Sequence, residues 1–448
     1  MPKRTLTLVV MCVGMFLVLL DVTIVNVALP RIHADLGASV ASLQWIVDGY
    51  GLALAALMLP FGDLGDRCGH KRVVLAGLAV FGTGSLGAGL APGPHTLVAA
   101  RVVQGTGAAL LLPGTLAVVS RAYEQPAERA RAIGIWAAIS ATALPAGVIG
   151  GGALVEGPGW RWAFLVNLPI VAVAFAVALV VVRETRAPSG RAPDPAGTAL
   201  TASLLATTTY AIIETSAIAG AAAVALLVAL VAVERRVAEP MLPPALFHRR
   251  AFTAATAVAG TMNLCSNGTL FVLTLYLQDV QHRSPLGAAL VCLPAFAMLS
   301  LVGPTAGRAV ARFGPPAPLA VGLTCAGCGL ALLAAGPSLP AFVLWGGGLG
   351  LMTPAIVAAA MGAVEPERAG LAAAVNNTAR QAGTAIGIAV AGALAGSPPG
   401  SGLRAVALGA GAIYLVAAVA AAWGSRLLHR TIRPLVWVSR RRSGAARQ

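Results

Sequence analysis

Charged side chains are scarce in this sequence. Only 10% of its 448 residues are Asp, Glu, Lys or Arg, and only 5% are aromatic, whereas about a quarter of the residues of a soluble domain are charged. Hydrophobic residues make up 58% of the chain and fall into long runs. The composition therefore excludes a water-soluble enzyme or binding domain and indicates a helical protein that crosses a lipid bilayer many times.

Several kinds of chemistry lack the residues they need. The sequence has no phosphate-binding loop of the Walker type, so ATP hydrolysis is not expected to drive it. The spacing of Cys325 and Cys328 is typical of metal or redox sites, but no histidine flanks the pair, and we interpret both as small packing residues. No catalytic triad and no metal-ligand cluster is present, so we expect neither an enzyme nor a bound cofactor or metal.

The net charge of +15 comes from short segments between the hydrophobic runs. These segments contain no aromatic residues interleaved with basic ones, so nucleic acid is not an expected partner. Of the 31 Lys and Arg residues, 25 fall on one side of the predicted membrane and four on the other. This bias predicts a multi-pass protein of the plasma membrane with both termini in the cytoplasm.

Fourteen hydrophobic stretches are long enough to cross a bilayer as helices. The first is too long for the core of a signal peptide and is interpreted as the first span. Only a few small residues join the seventh and eighth, so a re-entrant hairpin is an alternative for that pair. The predicted spans are residues 6–29, 43–61, 73–91, 96–119, 130–154, 162–182, 197–214, 217–233, 252–277, 285–305, 316–335, 339–361, 370–395 and 404–426.

Two similar segments indicate an internal repeat. The sequence GDLGDRCG (62–69) ends the second span, and GRAVARFG (307–314) ends the tenth. Their matching positions predict two six-helix bundles in parallel orientation with two extra helices between them. The predicted division is 1–186 for the first bundle, 187–240 for the inserted helices and linker, 241–430 for the second bundle and 431–448 for a basic cytoplasmic tail.

Two ionisable residues interrupt the hydrophobic runs at similar depth. Asp21 lies roughly 12 Å and Arg101 roughly 8 Å from the outer ends of the first and fourth spans, at a rise of about 1.5 Å per residue. A charge inside the membrane is costly and by default marks an ion or substrate pathway. We expect Asp21 and Arg101 to share one hydrated site, which Asp48 extends. The alternative for Arg101 is a side chain that extends to the outer headgroups.

Three sequence signatures resemble those of the major facilitator superfamily, and specifically its fourteen-helix drug:proton antiporter branch. The loop signature corresponds to residues 62–72 and the fourth-span signature to residues 97–109, which include Arg101, Gln104 and Gly105. The antiporter signature corresponds to residues 143–152.

The antiporter signature departs from the family at one position. Val148 stands where the family usually has proline, and the nearest proline is Pro145, one turn earlier. Gly147 and Gly151 are four residues apart, so they form a face that permits close helix packing. The resemblance therefore implies close packing at this face but not the position of a kink.

The resemblance also implies roles for individual residues. Asp21, Arg101 and Asp48 are expected to couple transport to protons, and Asp66 is expected to meet the helix that begins near Ala369 and to hold one conformation closed. For Arg380, structural pairing between the bundles is an equal alternative. The implied latch comprises Gly62, Asp66, Arg67, Gly69, Lys71 and Arg72. The implied substrate cavity includes Asn26, Gln44, Gln104, Asn376 and Arg380.

The function implied by the resemblance is proton-coupled export by alternating access. The expected substrate is a small amphipathic, drug-like molecule, and the expected form is a monomer in the bilayer. Export of an endogenous metabolite is an alternative that nothing in the sequence separates from drug export. A membrane sensor or scaffold that does not transport is a further alternative, against which the loop signature and the buried charges argue.

Overall fold

Helices make up nearly all of the structure. The computed structural model describes residues 3–123, 125–186, 194–237, 240, 242, 244–365, 369–396 and 401–421, and these residues contain no β-strand. A π-helical turn, Tyr276–Val280, continues α11. The helices are α1 (Lys3–Leu36), α2 (Val40–Cys68), α3 (His70–Gly89), α4 (Pro94–Ala122), α5 (Pro126–Glu156), α6 (Trp162–Leu165), α7 (Asn167–Val181), α8 (Pro195–Ile213), α9 (Ala217–Glu234), α10 (Pro244–Phe247), α11 (Arg250–Leu275), α12 (Pro285–Phe313), α13 (Pro316–Leu333), α14 (Leu339–Gly362), α15 (Ala369–Ala393) and α16 (Leu403–Ala421).

Within the described residues, thirteen helical segments are long and apolar enough to cross a membrane. They include α8 and α9, with 19 and 18 residues, for which a re-entrant hairpin was an alternative. The thirteen do not include α15, although it has 25 residues. Polar residues in its middle, among them Asn376, Asn377 and Arg380, lower its hydropathy. A membrane protein with many spans is confirmed, while the number fourteen stays a prediction.

The two repeated segments end in the same backbone geometry. Gly69 (φ 106°) follows α2, and Gly314 (φ 75°) follows α12. Each glycine N–H donates to the carbonyl four residues earlier, at Gly65 and Val310, with N–O distances of 3.0 and 2.9 Å. Because positive φ is costly for residues with a Cβ atom, glycine is needed at both positions to reverse the chain.

The long helices pack in two groups. In the first, α1 packs on α4 and α5, while α4 packs on α2 and α3; in the second, α14 packs on α12 and α13, and α11 packs on α15. The groups meet through α5 with α12 and α2 with α15, while α8 packs against both α2 and α15. This packing supports two bundles with an inserted helix pair. The residue boundaries of the four predicted segments stay predictions, and the tail 431–448 lies outside the described residues.

Small residues permit the closest helix approaches in the first bundle. A Cβ atom at Gly105 would lie 2.3 Å from the carbonyl oxygen of Tyr50, so α2 and α4 could not approach as closely with any other residue there. Gly147 and Gly151 of α5 similarly pack against α1, at Leu20 and Ile24. Pro145 lies inside α5, two residues before Gly147. The packing face that the sequence predicted on α5 is therefore the face that meets α1.

Candidate functional site

A buried ion pair joins α1 and α4. Asp21 is 0% and Arg101 1% exposed. Arg101 Nη1 donates a hydrogen bond to Asp21 Oδ2, and its Nε donates to the carbonyl oxygen of Ile46 at 3.0 Å. The ring of Tyr50 lies 4.4 Å from the guanidinium carbon and provides a cation–π contact. The structure thus brings Asp21 and Arg101 together, and burial of Arg101 excludes the alternative in which it extends to the headgroups.

Gln104 completes the hydrogen bonding of this pair. Its Oε1 accepts from Arg101 Nη1 at 2.7 Å, and its Nε2 donates to Asp21 Oδ1 at 2.7 Å. The same Nε2 donates to Ser85 Oγ at 2.9 Å, and Asn167 Nδ2 donates to Ser85 Oγ at 3.4 Å. Gln104 had been predicted to line a substrate cavity, but it is fully buried in this network. We call the set Asp21, Arg101, Gln104 and Ser85 the charge network.

Asp48 lies outside the charge network. Its side chain is 1% exposed, and neither carboxylate oxygen has a hydrogen-bond partner among the described residues. Asp48 is one helical turn from Gln44 on α2, so both side chains lie on the same face of that helix. This face meets α15, because Gln44 donates to α15 carbonyl groups. We had expected Asp48 to join the site of Asp21, but no hydrogen bond connects Asp48 to the charge network.

Successive long helices run in opposite directions, which defines two faces of the molecule. We call the face where α1 begins the proximal face and the face where α1 ends the distal face. Near the distal face, Gln44 Nε2 donates to the carbonyl oxygens of Ile388 and Ala389 at 3.0 and 2.8 Å. Gln278 Nε2 donates to the carbonyl oxygen of Val27 at 3.0 Å. These bonds hold the two bundles together on the distal side.

A third distal contact joins α5 to α12. Glu156 Oε2 accepts a hydrogen bond from the backbone N–H of Leu286 at 3.1 Å, at the first turn of α12. One turn earlier, a Cβ atom at Gly152 would lie 2.8 Å from Leu286 Cα, so the two helices are in close contact. Asn26 lies behind this closure and lines a small cavity between the bundles together with Thr274 and Gln278.

The same two helices separate toward the proximal face. Their last hydrogen bond in that direction among the described residues joins Ser300 Oγ to the carbonyl oxygen of Ala141 at 2.9 Å, near the middle of both helices. Beyond it, a Cβ atom at Gly134 of α5 or at Gly307 of α12 would meet no atom within 4 Å. The hydrogen bonds described between α5 and α12 are thus confined to the distal end and the middle of this interface. We interpret the structure as closed at the distal end and open at the proximal end.

The predicted latch loop is held by residues of the first bundle. Asp66 Oδ1 accepts from Arg121 Nη2 at 2.9 Å and lies 3.2 Å from His70 Nε2. The predicted partner of Asp66 was the start of α15, and in this proximally open conformation Asp66 is instead paired with Arg121 and His70. Of the other latch residues, Gly62 packs near Pro113, and Arg67 Nε is buried without a partner among the described residues.

Glu184 contacts the predicted latch loop, and sequence reasoning missed it. Its Oε1 accepts from the backbone N–H of Lys71 at 3.1 Å, and its Oε2 lies 3.7 Å from Arg72 Nε. The carboxylate occupies the space in which a Cβ atom of Gly69 would stand. Lys71 Nζ also donates to the carbonyl oxygen of Leu179 at 2.6 Å. The available signal was one acid among the arginines after the sixth predicted span.

The second bundle places neutral polar residues along α11 and α15. Asn376 is 2% exposed, and its Nδ2 has no partner among the described residues. Asn267 of α11 donates to Thr384 Oγ1 of α15 at 3.2 Å. Arg380 is partly exposed between them, on the same helix as Thr384. Sequence reasoning had not included Asn267 and Thr384, because one polar residue in a helix carries no signal of its partner on another helix.

Comparisons with known proteins agree with this architecture. A family model described as Major Facilitator Superfamily matches residues 11–388. The puromycin resistance protein of Streptomyces alboniger is 36% identical over 436 residues, which cover 92% of this chain and 84% of that protein. The tetracenomycin C resistance and export protein of Streptomyces glaucescens is 35% identical over 413 residues, which cover 88% of this chain and 76% of that protein.

Solved structures show the same fold at lower sequence identity. A POT family transporter in complex with a thioalcohol-conjugated peptide matches with a TM-score of 0.72 at 15% identity, over 94% of this chain and 96% of that one. A bacterial homologue of the human lysosomal transporter Spinster, inward-facing and unoccupied, matches with a TM-score of 0.66 at 18% identity, over 94% of this chain and 96% of that one. At these identities the likeness shows the fold alone.

Proposed function

Since the chain belongs to the Major Facilitator Superfamily, we propose that it exports small amphipathic, drug-like molecules in exchange for protons. It is a transporter by family and not an enzyme. Relatives similar over most of its length are named as resistance and export proteins, which supports drug-like molecules as its cargo. Both bundles lie on one chain, so we propose that the monomer is the transporting unit.

The charge network is the observation that carries proton coupling. Asp21 is the only carboxylate in the described residues that forms an ion pair with both side chains almost fully buried. Protonation of Asp21 removes its charge and weakens its charge-assisted hydrogen bond with Arg101. Arg101 then keeps Gln104, the Ile46 carbonyl and the rings of Tyr50 and Phe164 as partners, none of which carries a negative charge. An uncompensated charge is costly inside the membrane. Protonation therefore raises the free energy of this conformation and favours movement of the helices that carry the network.

A short chain of contacts connects this network to the distal closure. Arg101 Nε is bonded to the carbonyl oxygen of Ile46, two residues from Gln44 on α2. Gln44 holds the carbonyl groups of α15. A change in the pairing of Arg101 thus acts on the same turn of α2 that holds the bundles together. Asp48 lies one turn further along α2, and we propose it as a second proton site that becomes accessible when α2 and α15 separate.

Alternating access follows from the two faces. We propose that the proximal face is cytoplasmic, because 25 of the 31 Lys and Arg residues belong to segments on that side. The cargo then enters the proximally open conformation from the cytoplasm. In the opposite conformation, Asp66 would meet the start of α15 and hold the proximal side closed, with the helix dipole favouring the carboxylate there.

The test is Asp21→Asn in proteoliposomes with an imposed pH gradient. We expect the variant to lose gradient-driven efflux of a drug-like dye, because the asparagine side chain cannot bind and release a proton. It should still exchange dye across the membrane when dye is present on both sides and no pH gradient is imposed. The matched control is Asp35→Asn on the same helix, since Asp35 pairs with Arg161 at an exposed position. Undiminished gradient-driven efflux by Asp21→Asn would show that the charge network does not couple protons.

A further inference from the structure

Arg380, a cation in the middle of α15, has no compensating charge among the residues that the structure describes. It is partly exposed, and its side chain forms no hydrogen bond and no ion pair with any described residue. Its Nε is buried and unpartnered. Arg101, the other arginine that lies several residues inside a predicted span, is paired with Asp21 and bonded to Gln104. A guanidinium left unpaired in a membrane interior is unfavourable, so a partner from outside the chain would stabilise it.

The position of Arg380 is set by the packing of α15. Gly383 of α15 lies against Gly260 of α11, where a Cβ atom would lie 2.1 Å from the Gly260 carbonyl oxygen. Asn377 of α15 lies against α2, where its Nδ2 is 2.9 Å from Met58 Sδ. At 100° per residue, Arg380 falls between these two faces of the helix. It therefore lies on the side of α15 that faces the space between α11 and α2, which we call the cleft.

The neighbours of Arg380 on this side are neutral. Asn267 Nδ2 donates to the carbonyl oxygen of Asn263 at 3.1 Å and to Thr384 Oγ1 at 3.2 Å, and Thr384 Oγ1 donates to the Arg380 carbonyl oxygen at 3.2 Å. All three side chains are partly exposed. The Asn263 and Asn267 amide groups keep unused hydrogen-bonding positions, and Thr384 Oγ1 can accept one further hydrogen bond. None of the three supplies a negative charge to Arg380.

Neither buried carboxylate described in the first bundle neutralises Arg380 in this conformation. Asp21 is committed to Arg101. Asp48 lies across the cleft on α2 and is itself without a partner. The pairing of Gln44 with Ile388 and of Met58 with Asn377 sets the register of α2 against α15. In this register Asp48 stands about five residues, roughly 8 Å, distal to Arg380.

We propose that Arg380 binds a carboxylate or comparable oxyanion of the exported molecule, while Asn263, Asn267 and Thr384 bind its neutral polar groups. This inference rests on the proposed export function and names the chemical class of its cargo. A guanidinium offers two parallel N–H donors that match a carboxylate, whereas it repels a cationic group at the same place. The exporter therefore prefers amphipathic molecules with an acidic oxygen group over their esters.

The experiment compares rhodamine B, which carries a free carboxylate, with rhodamine B ethyl ester, which differs only at that group. Binding to the purified full-length protein in detergent is measured by fluorescence polarisation. We expect wild type to bind rhodamine B about tenfold or more tighter than the ester, as for a charge-assisted hydrogen bond. Arg380→Gln should lose this preference and still bind the ester as wild type does, which also shows that the variant is folded.

Two further variants sharpen the comparison. Arg380→Lys keeps the charge without the planar pair of donors and should retain part of the preference. Arg308→Gln removes an exposed positive charge from α12 and should leave the preference unchanged. Failure of wild type to bind rhodamine B more tightly than the ester, or an unchanged preference in Arg380→Gln, would overturn the proposal.

The outcome is separable from that of the export function. Binding in detergent needs no proton gradient, so the rhodamine B preference can be present in a protein that fails the gradient-driven efflux test. Conversely, gradient-driven efflux without any effect of Arg380→Gln on the preference would leave the export function standing and remove only the acidic cargo.

Discussion

The two bundles differ in the chemistry of their centres. In the first, α1 and α4 enclose the ion pair between Asp21 and Arg101. In the second, the buried polar residues among those described are all neutral. Tyr414 of α16 donates to the carbonyl oxygen of Met262 at 2.6 Å, and its hydroxyl lies 2.6 Å from Ser266 Oγ.

This difference separates two tasks that a coupled exporter has to perform. A buried ion pair changes its energy greatly when one proton binds, whereas a neutral hydrogen-bond network hardly responds to a proton. The first bundle is thus suited to sense protons. The second bundle, whose partly exposed Arg380 and asparagines face the cleft, is suited to recognise cargo. The following predictions test this division, beginning with the largest expected effect.

Arg101→Met should destabilise the protein more than any other change proposed here. It leaves Asp21 buried without its charge partner, and breaking a buried pair in this way costs about 3–5 kcal/mol. Unfolding in detergent, followed by circular dichroism, measures the change in free energy. The double variant Asp21→Leu, Arg101→Met should recover much of the loss, because no uncompensated charge remains. If Arg101→Met were as stable as wild type, the ion pair between Asp21 and Arg101 would not contribute to stability as proposed.

The spans and the depths of the two buried charges could be predicted from the sequence, because each depends only on residues that are close together in the chain. Long apolar runs fix the spans, and counting residues from the span ends correctly placed Asp21 and Arg101 at a common depth. The helices extend beyond the predicted spans, as α2 does from 43–61 to Val40–Cys68, since hydropathy marks only the part of a helix that lies in lipid. Helix ends in water carry no such signal.

Contacts between distant helices could not be predicted in the same way. Gln44 bonds to the backbone carbonyl groups of Ile388 and Ala389, and a carbonyl group is present at every position of a helix. The partner of Asp66 depends on the conformation, so one sequence allows both Arg121 and the start of α15. Glu184 meets the latch loop only because the segment that follows α7 lies against the first turn of α3.

Gln44→Ala should weaken the connection between the two bundles. It removes two hydrogen bonds to α15, each worth about 0.5–1.5 kcal/mol. The population should shift toward a distally open conformation, measured as a longer distance between spin labels at Ser42 and Val390. Asn377→Ala, further along the same interface, should change this distance less, since Met58 sulfur is a weak acceptor. Equal shifts in the two variants would show that Gln44 has no special role in the closure.

Tyr414→Phe tests the neutral hydrogen-bond network in the second bundle. The loss of its hydroxyl removes hydrogen bonds to Met262 and Ser266, and we expect a decrease of about 1 kcal/mol in the free energy of unfolding. Gradient-driven efflux should keep its dependence on the pH gradient, because no charge of the first bundle is touched. A loss of proton coupling in this variant would show that the neutral network takes part in sensing protons, and the division between the bundles would fail.

Glu156→Gln should produce the smallest effect, at the distal contact between the bundles. Glutamine can still accept the hydrogen bond from the Leu286 N–H, but it loses the attraction between a carboxylate and the N-terminus of α12, worth about 0.3–1 kcal/mol. The distance between spin labels at Ser42 and Val390 should lengthen slightly, and the difference from wild type should shrink at high salt because the carboxylate is exposed. A shift as large as that of Gln44→Ala would assign the main distal closure to charge at α5 and α12, whereas two of its four described hydrogen bonds join α2 and α15 and only one joins α5 and α12.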